Sequence, residues 1–316
     1  MKSDPRTKFD ILEYLHRQSA EVDRALDCYL DRAGEGQTIY RAVRYGVFPG
    51  GKRIRPILTL AAGELFGAAE QDLLPFACAV ELIHAYSLIH DDLPALDDDD
   101  LRRGEPTAHK VFGEGMALLA GDGLLTEAFH LISGPEVSRH LPAELVLKLI
   151  HELSEAVGLA GLVGGQALDL ETEGKAVDLK LVESIHGRKT GALIRASIRL
   201  GAQVAGADGA NLARISRFGD SLGLAFQIAD DILDGLGQTA AGERAGSAHH
   251  ELKKATYLAV AGVSRAREKL QELLRACLTE LAPYASAALP LEELTRHVVV
   301  RALYNDDANS PSEVKS

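Results

Sequence analysis

The sequence predicts an all-α chain. Three observations carry that prediction. Apolar residues recur at three-to-four spacing along most of the chain, alternating strand patterns are scarce, and Ala and Leu abound while Trp is absent. The first helical signal runs through Phe9, Leu12 and Leu15 and on to Val22, Ala25, Leu26 and Tyr29. From Leu73 to His90 the chain is apolar on every face, with Glu81, His84 and His90 as the interruptions. A helix without a polar side belongs in the middle of a bundle. Further helical signals cover 115–132, 143–170, 179–205, 210–236, 256–281 and 291–304, with Pro94, Pro106, Pro135, Pro142, Pro283 and Pro290 near their ends or in the connections. The segments 235–250 and 305–316 are polar or glycine-rich and read as loose, the latter as a disordered tail. No linker composition and no fixed-period repeat divides the chain, so one domain over 1–316 is expected.

Composition narrows the function. The chain has 316 residues, 46% hydrophobic and 25% charged, enough to bury a substantial core. Its net charge of -12 argues against a nucleic-acid partner, which favours a basic surface. Cys28, Cys78 and Cys277 are widely spaced and odd in number, which fits reduced, mostly buried thiols in a cytoplasmic protein. Residues 1–6 are polar and show no signal-peptide core, and no uncharged run reaches the length of a membrane span.

Two aspartate clusters carry the chemistry. The first ends the long apolar helix: Asp91-Asp92-Leu93-Pro94-Ala95-Leu96-Asp97, followed by Asp98, Asp99 and Asp100 and then Arg102-Arg103-Gly104. Pro94 forces the chain to kink or leave the helix, and Asp97 can fold back toward Asp91. The second is Asp230-Asp231-Ile232-Leu233-Asp234. A helix puts Asp230, Asp234 and the preceding Gln227 on one face, with Asp231 beside them. Its neighbours Phe226, Ile228, Ile232 and Leu233 are apolar, so these acids sit on a largely buried helix and need counter-ions. Hard divalent cations take oxygen ligands, and Mg2+ completes its shell with water and phosphate oxygens. Cationic patches match this. Arg102 and Arg103 offer guanidinium forks suited to phosphate. Gly50-Gly51-Lys52-Arg53-Ile54-Arg55-Pro56 places three cations on a glycine turn, without the spacing of a nucleotide-binding P-loop. Gly187-Arg188-Lys189-Thr190-Gly191 precedes an apolar helix, and a lysine at a helix start meets an anion with help from the helix dipole.

Taken together and in order, these motifs resemble those of the trans-isoprenyl diphosphate synthases, the polyprenyl synthetase family, and most of all its bacterial farnesyl diphosphate synthases. The resemblance spans roughly Tyr40 to Tyr257 and includes Gly164-Gly165-Gln166-Ala167-Leu168-Asp169-Leu170. It implies an isoprenoid-synthase helical bundle around a deep central cavity. It implies three Mg2+ ions bound with the diphosphate by Asp91, Asp97 and Asp230, supported by Asp92, Asp231 and Asp234. Arg102, Lys189, Thr190, Gln227 and Lys254 are implied for the allylic diphosphate, and Gly51, Lys52, Arg55, His84 and Arg103 for isopentenyl diphosphate. After the second cluster the loop reads Gly242-Glu243-Arg244-Ala245-Gly246-Ser247-Ala248-His249, where Arg244 stands in for a phosphate-binding lysine of the family. A homodimer is implied as well.

By the same resemblance the residues before the first cluster set product length. Here they are Tyr86 and Ser87, and a ring at Tyr86 favours the fifteen-carbon product over the twenty-carbon geranylgeranyl diphosphate. The reaction expected is head-to-tail condensation of isopentenyl diphosphate with dimethylallyl or geranyl diphosphate. A class I terpene cyclase is a more remote alternative, but it has little use for Lys52, Arg55 and Arg103. A non-catalytic subunit of a heteromeric synthase normally lacks some of these aspartates, and all are present.

Overall fold

The long apolar helix is the axis of the molecule. In the computed structural model, which describes residues 9–31, 37–235 and 256–304, it is α4, Glu70–Asp91. It follows α1 (Ile11–Leu30), α2 (Thr38–Val47) and α3 (Ile54–Leu65). Phe76, Val80 and Ile83 are fully buried, as are Leu73, Ala77 and Leu82 on other faces of the helix, which is why its sequence has no polar side. By length and composition α4 has the character of a membrane span, and 78% of its most apolar window is buried inside the bundle. Glu70 and Asp72 in its first turn suit the positive end of the helix dipole.

Past α4 the chain makes a two-residue antiparallel hairpin, Leu101–Arg102 with Glu105–Pro106, the strand pairing found among the described residues. Then come α5 (Ala108–Phe112), α6 (Glu114–Ile132), α7 (Pro135–Ser138) and α8 (Ala143–Val157). The single helical signal over 143–170 is two helices: α8 stops at Gly158, and α9 (Leu162–Thr172) starts afresh. α10 (Leu179–His186) runs without a break through a π-helical turn, Gly187–Gly191, into α11 (Ala192–Val204). α12 (Gly209–Gly235), α13 (Tyr257–Leu281) and α14 (Leu289–Tyr304) complete the fold, with a 3-10 stretch at Ala282–Ala288. α13 is broken at Gly262, whose φ of +76° no continuous helix permits.

Three apolar clusters hold these elements. One is centred on α4 and draws in α1, α6 and α8. The second joins α3, α11 and the middle of α12, and the third joins α10, the end of α12, α13 and α14. Side-chain caps fix several helix starts: Asp10 accepts from the Leu12 and Glu13 amides, Asp178 from Leu181 and Thr256 from Ala259. Cys78 and Cys277 are buried free thiols as expected, whereas Cys28 is exposed.

Helices α3 and α11 approach so closely that a Cβ on Gly201 would sit 2.0 Å from the Thr59 carbonyl oxygen. That neighbour is backbone and cannot swing away. Gly201→Ala is expected to lower unfolding stability by ~1–3 kcal/mol, the usual cost of overpacking, read from urea midpoints. An unchanged midpoint would mean that the two helices are free to separate.

Candidate active site

The ends of α4 and α12 face one cavity of about 860 Å3. Asp91 and Asp97 line it from the first cluster, and Gln227, Asp230, Asp231 and Asp234 from the second. Helix α4 ends at Asp91, and Asp92, its C-cap, still keeps the helical register, its amide donating to the Leu88 carbonyl at 3.1 Å. The chain turns at Pro94 and comes back: the Asp97 amide donates to the Asp91 carbonyl at 2.8 Å. That bond sets the two cavity acids of this cluster side by side.

Asp92 is placed differently. It is buried, and the cavity lining does not include it. Its Oδ1 accepts from Arg102 Nε at 2.7 Å and lies 2.5 Å from Arg102 Nη2. Asp99, also buried, stands 3.7 Å from the same guanidinium. Burial pushes the Asp92 carboxyl up, against the downward pull of Arg102. Asp92 therefore holds Arg102, which lines the cavity, rather than facing the cavity itself. Asp100 is at the surface and pairs with Lys110 at 2.7 Å.

Opposite the acids lie the cations. Lys189 and Thr190 sit on the π-helical turn. No helix begins there, so the dipole at a helix start expected for Lys189 does not exist. The widened turn presents both side chains to the cavity instead. Lys189 Nζ donates to Asp169 Oδ2 at 2.8 Å. Burial pulls the Lys189 ammonium down, but Asp91, Asp169 and Asp97 outweigh that and raise it, so it stays charged. Asp169 and Gln166 of α9 also line the cavity. The Gly164–Leu170 motif was visible in the sequence without a role for either residue, and the structure supplies one for Asp169 as the lysine's partner. Gly165 permits the contact, since a Cβ there would lie 2.3 Å from the Lys189 amide nitrogen.

The glycine turn forms the other wall. Gly51, Lys52, Arg55, His84, Ser87 and Arg103 all line the cavity. Arg55 Nη1 meets His84 Nε2 at 3.2 Å, while its buried Nε has no hydrogen-bond partner. Burial, then the cations Arg55, Arg103, Arg102 and Arg53, hold the His84 imidazole well below its usual range, so it is neutral and accepts from Arg55. Arg103, in a left-handed conformation with φ of +55°, donates to the Gly50 carbonyl and ties the hairpin to the glycine turn. Arg53, the third cation of this turn, borders the cavity too but pairs with Asp23 and Glu81, a pairing that nothing in the sequence announces. Tyr86 does not line the cavity. It lies one layer behind, with its ring edge-on to His90 at 5.7 Å between centroids and its hydroxyl buried without a partner. Burial, then Asp91, raise that phenol to about 12. Arg244 and Lys254 lie outside the described residues, as do the 242–249 loop and the 305–316 tail.

The acids fit a divalent cation. Asp231 is pushed up to about 7, first by burial and then, against the Tyr257 amide, by Asp230, Asp234 and Asp169. Burial and crowding by like charge both disfavour the ionised carboxyl, and a bound cation would relieve both. Among the described residues no three His, Cys, Asp or Glu side chains form a metal cage. Carboxylates on facing walls suit Mg2+, which shares its shell with water and phosphate oxygens.

His186 was not foreseen. It is buried beside this group, 3.8 Å from Asp231, with burial lowering its imidazole to about 4 and its Nδ1 unpartnered. It stands immediately before the π-helical turn, and only the tertiary structure brings it to Asp231.

Comparison with known proteins shows the family. Residues 36–287 match the family described as polyprenyl synthetase. The farnesyl diphosphate synthase of Escherichia coli (strain K12) is 48% identical over 268 residues, 83% of this chain and 89% of that one. The geranylgeranyl diphosphate synthase of Cyanophora paradoxa is 40% identical over 297 residues, 94% and 98% of the two chains. A solved FPP/GFPP synthase from Zymomonas mobilis superposes with a TM-score of 0.82 at 35% identity, covering 92% of this chain and 99% of that one.

A stability prediction follows from Asp231. Its carboxyl rises from an ordinary 3.8 to about 7 on folding, so the ionised form weakens the fold above pH 7 and the penalty vanishes toward pH 4. Asn keeps an oxygen for the Tyr257 amide, which donates to Asp231 at 2.6 Å. Asp231→Asn is expected to raise the Tm of metal-free protein at pH 8, with the gain fading toward pH 4. A variant that melts lower than the parent at pH 8 would contradict the charge crowding.

Proposed function

The chain belongs to the polyprenyl synthetase family, and from that premise we propose how its cavity works and what it makes. The protein is a trans-prenyltransferase, of the family that joins isopentenyl diphosphate to an allylic diphosphate and generally uses Mg2+. The reading is that one domain, working in the cytoplasm, extends dimethylallyl and geranyl diphosphate to farnesyl diphosphate. The observation that carries it is the meeting of both acidic clusters and both cationic patches at one cavity.

In this reading Asp91, Asp97 and Asp230, with Asp231 and Asp234 beside them, hold three Mg2+ ions together with the allylic diphosphate. When bound, the metal neutralises charge on the leaving diphosphate. Arg102, Lys189, Thr190 and Gln227 donate to the same group, where negative charge grows as the allylic C–O bond breaks. Arg102 and Lys189 are held in place beforehand by Asp92 and Asp169. Leu88, Leu162, Ile185, Leu193 and Phe226 supply apolar wall where the prenyl chain and the developing cation are kept from water. Lys52, Arg55, His84 and Arg103, with the Gly51 backbone, hold isopentenyl diphosphate so that its double bond faces the cation. The departing diphosphate takes the proton lost at the end. Arg244 and Lys254 complete the phosphate contacts. A homodimer is proposed, and the adjacent exposed residues Leu118 and Leu119 on α6 support it.

Geranylgeranyl diphosphate is the second reading, favoured by Tyr86 standing behind the cavity wall rather than on it. Incubating the protein with Mg2+, isopentenyl diphosphate and geranyl diphosphate and identifying the product separates the two. A fifteen-carbon diphosphate is expected, and a predominantly twenty-carbon product would replace the first reading by the second. Asp91→Asn and Asp230→Asn are each expected to lower kcat by ~100-fold or more, since each removes charge facing the leaving group. A variant of normal kcat would remove that residue from the mechanism. Tyr86→Ala leaves a void behind the cavity wall, into which a longer chain can grow, so the share of longer products should rise. Unchanged products would place the length limit elsewhere.

A further inference from the structure

Arg53 sits between Lys52 and Arg55 and borders the same cavity, yet its guanidinium is committed to protein partners. Its backbone is left-handed, with φ of +47° and ψ of +33°, an unusual state for a residue with a Cβ. Its side chain is 2% exposed. Nε donates to Asp23 of α1 at 2.8 Å, Nη1 to Glu81 of α4 at 2.5 Å and Nη2 to the Val47 carbonyl at the end of α2 at 2.7 Å. One guanidinium thus ties the glycine turn to three helices.

Glu81 is the reason this matters. It is 3% exposed, lies on the cavity wall and stands one helical turn before His84. Glu81 is also the opposite charge that acts most strongly on Arg55, ahead of Asp230. An uncompensated Glu81 would draw the Arg55 guanidinium to itself and repel an arriving diphosphate. With Arg53 on it, Glu81 is occupied, and Arg55 rests on the neutral ring of His84 with its Nε still unpartnered.

We propose that Arg53 is a positioning residue for isopentenyl diphosphate: it anchors the glycine turn through Asp23 and Glu81 and keeps Glu81 from competing with the diphosphate for Arg55. It acts through its neighbours, its guanidinium being taken up by Asp23, Glu81 and the Val47 carbonyl. The proposal rests on the reading of Lys52 and Arg55 as the isopentenyl diphosphate site.

The test is a set of steady-state measurements with both diphosphates varied, on the full chain with Mg2+. Arg53→Met is expected to raise KM for isopentenyl diphosphate by ~30-fold, with KM for geranyl diphosphate and kcat within ~3-fold of the parent, a loss confined to ground-state binding of one substrate. Arg53→Met/Glu81→Met replaces the buried pair by apolar side chains and is expected to recover most of that loss. A purely architectural role predicts the opposite pattern: both KM values and kcat change together, and the double variant is no better than the single one. Asp23→Asn removes one leg at a half-exposed residue and covers the case in which Arg53→Met does not fold. It is expected to raise KM for isopentenyl diphosphate by ~3-fold, and no change there overturns the proposal. Lys52→Ala is the control for the underlying reading. If it leaves KM for isopentenyl diphosphate unchanged, the site is misassigned and the proposal falls with it. If it raises that KM and Arg53→Met does not, the site stands and the positioning role alone is refuted.

Discussion

One electrostatic constraint governs the site: carboxylates on two distant helices face each other across a cavity in which acids outnumber the cations set among them. The repulsion is visible in Asp231, raised to about 7 by burial and by its acidic neighbours. It is borne by packing elsewhere. Helix α4 is buried on every face and cannot rotate its end away, and α12 is clasped by the second and third apolar clusters. Asp231 itself is built into the architecture, since the first amide of α13 donates to it. In the proposed mechanism this strain sits where a cation and a diphosphate would relieve it together, as expected of a site whose function needs charge that stability alone would remove.

The same constraint sorts the basic residues. A free arginine near these acids would collapse onto them and fill the site. Instead each buried cation at the wall has an acid or an acceptor of its own, set back from the cavity centre: Arg102 on Asp92 and Asp99, Lys189 on Asp169, Arg53 on Asp23 and Glu81. Arg55 leans on neutral His84. Such pairing fixes donors before substrate arrives, so little reorganisation remains when charge develops. It also accounts for acids in the aspartate-rich segment that do not line the cavity: Asp92 and Asp99 orient an arginine, and Asp100 secures Lys110 at the surface.

What the sequence made legible follows from periodicity. Gln227, Asp230, Asp231 and Asp234 could be assigned to one cavity because helical spacing alone puts them on adjoining faces, and the all-apolar run could be read as a central helix for the same reason. What stayed hidden depends on tertiary direction. Asp91 and Asp92 are neighbours at a helix end, and only the return of the chain at Asp97 decides which one looks into the cavity. A π-helical turn has no period of its own, so Lys189 read as a residue at a helix start. Arg53 and Glu81 are separated by 28 residues and meet only because α3 and α4 pack side by side. The split of 143–170 into two helices turns on Gly158 and Gly161, which a run of apolar periodicity overrides on paper.

An acidic chain in a family whose substrates are diphosphates is not a contradiction once the charges are located. The net charge of -12 is a property of the whole surface, and screening over about 8 Å confines its effect on an enclosed site. Inside the cavity the balance is set locally. On the glycine-turn side Lys52, Arg55 and Arg103 face it, with Glu81 neutralised by Arg53. On the other side the aspartates dominate, and an anion is acceptable there only after divalent cations reverse the sign. One cavity thus offers two diphosphate environments, one positive by sequence and one positive only with metal. In the proposed mechanism that asymmetry would distinguish the two substrates by charge before shape enters, and the metal-dependent half would be the one in which the carbon–oxygen bond breaks.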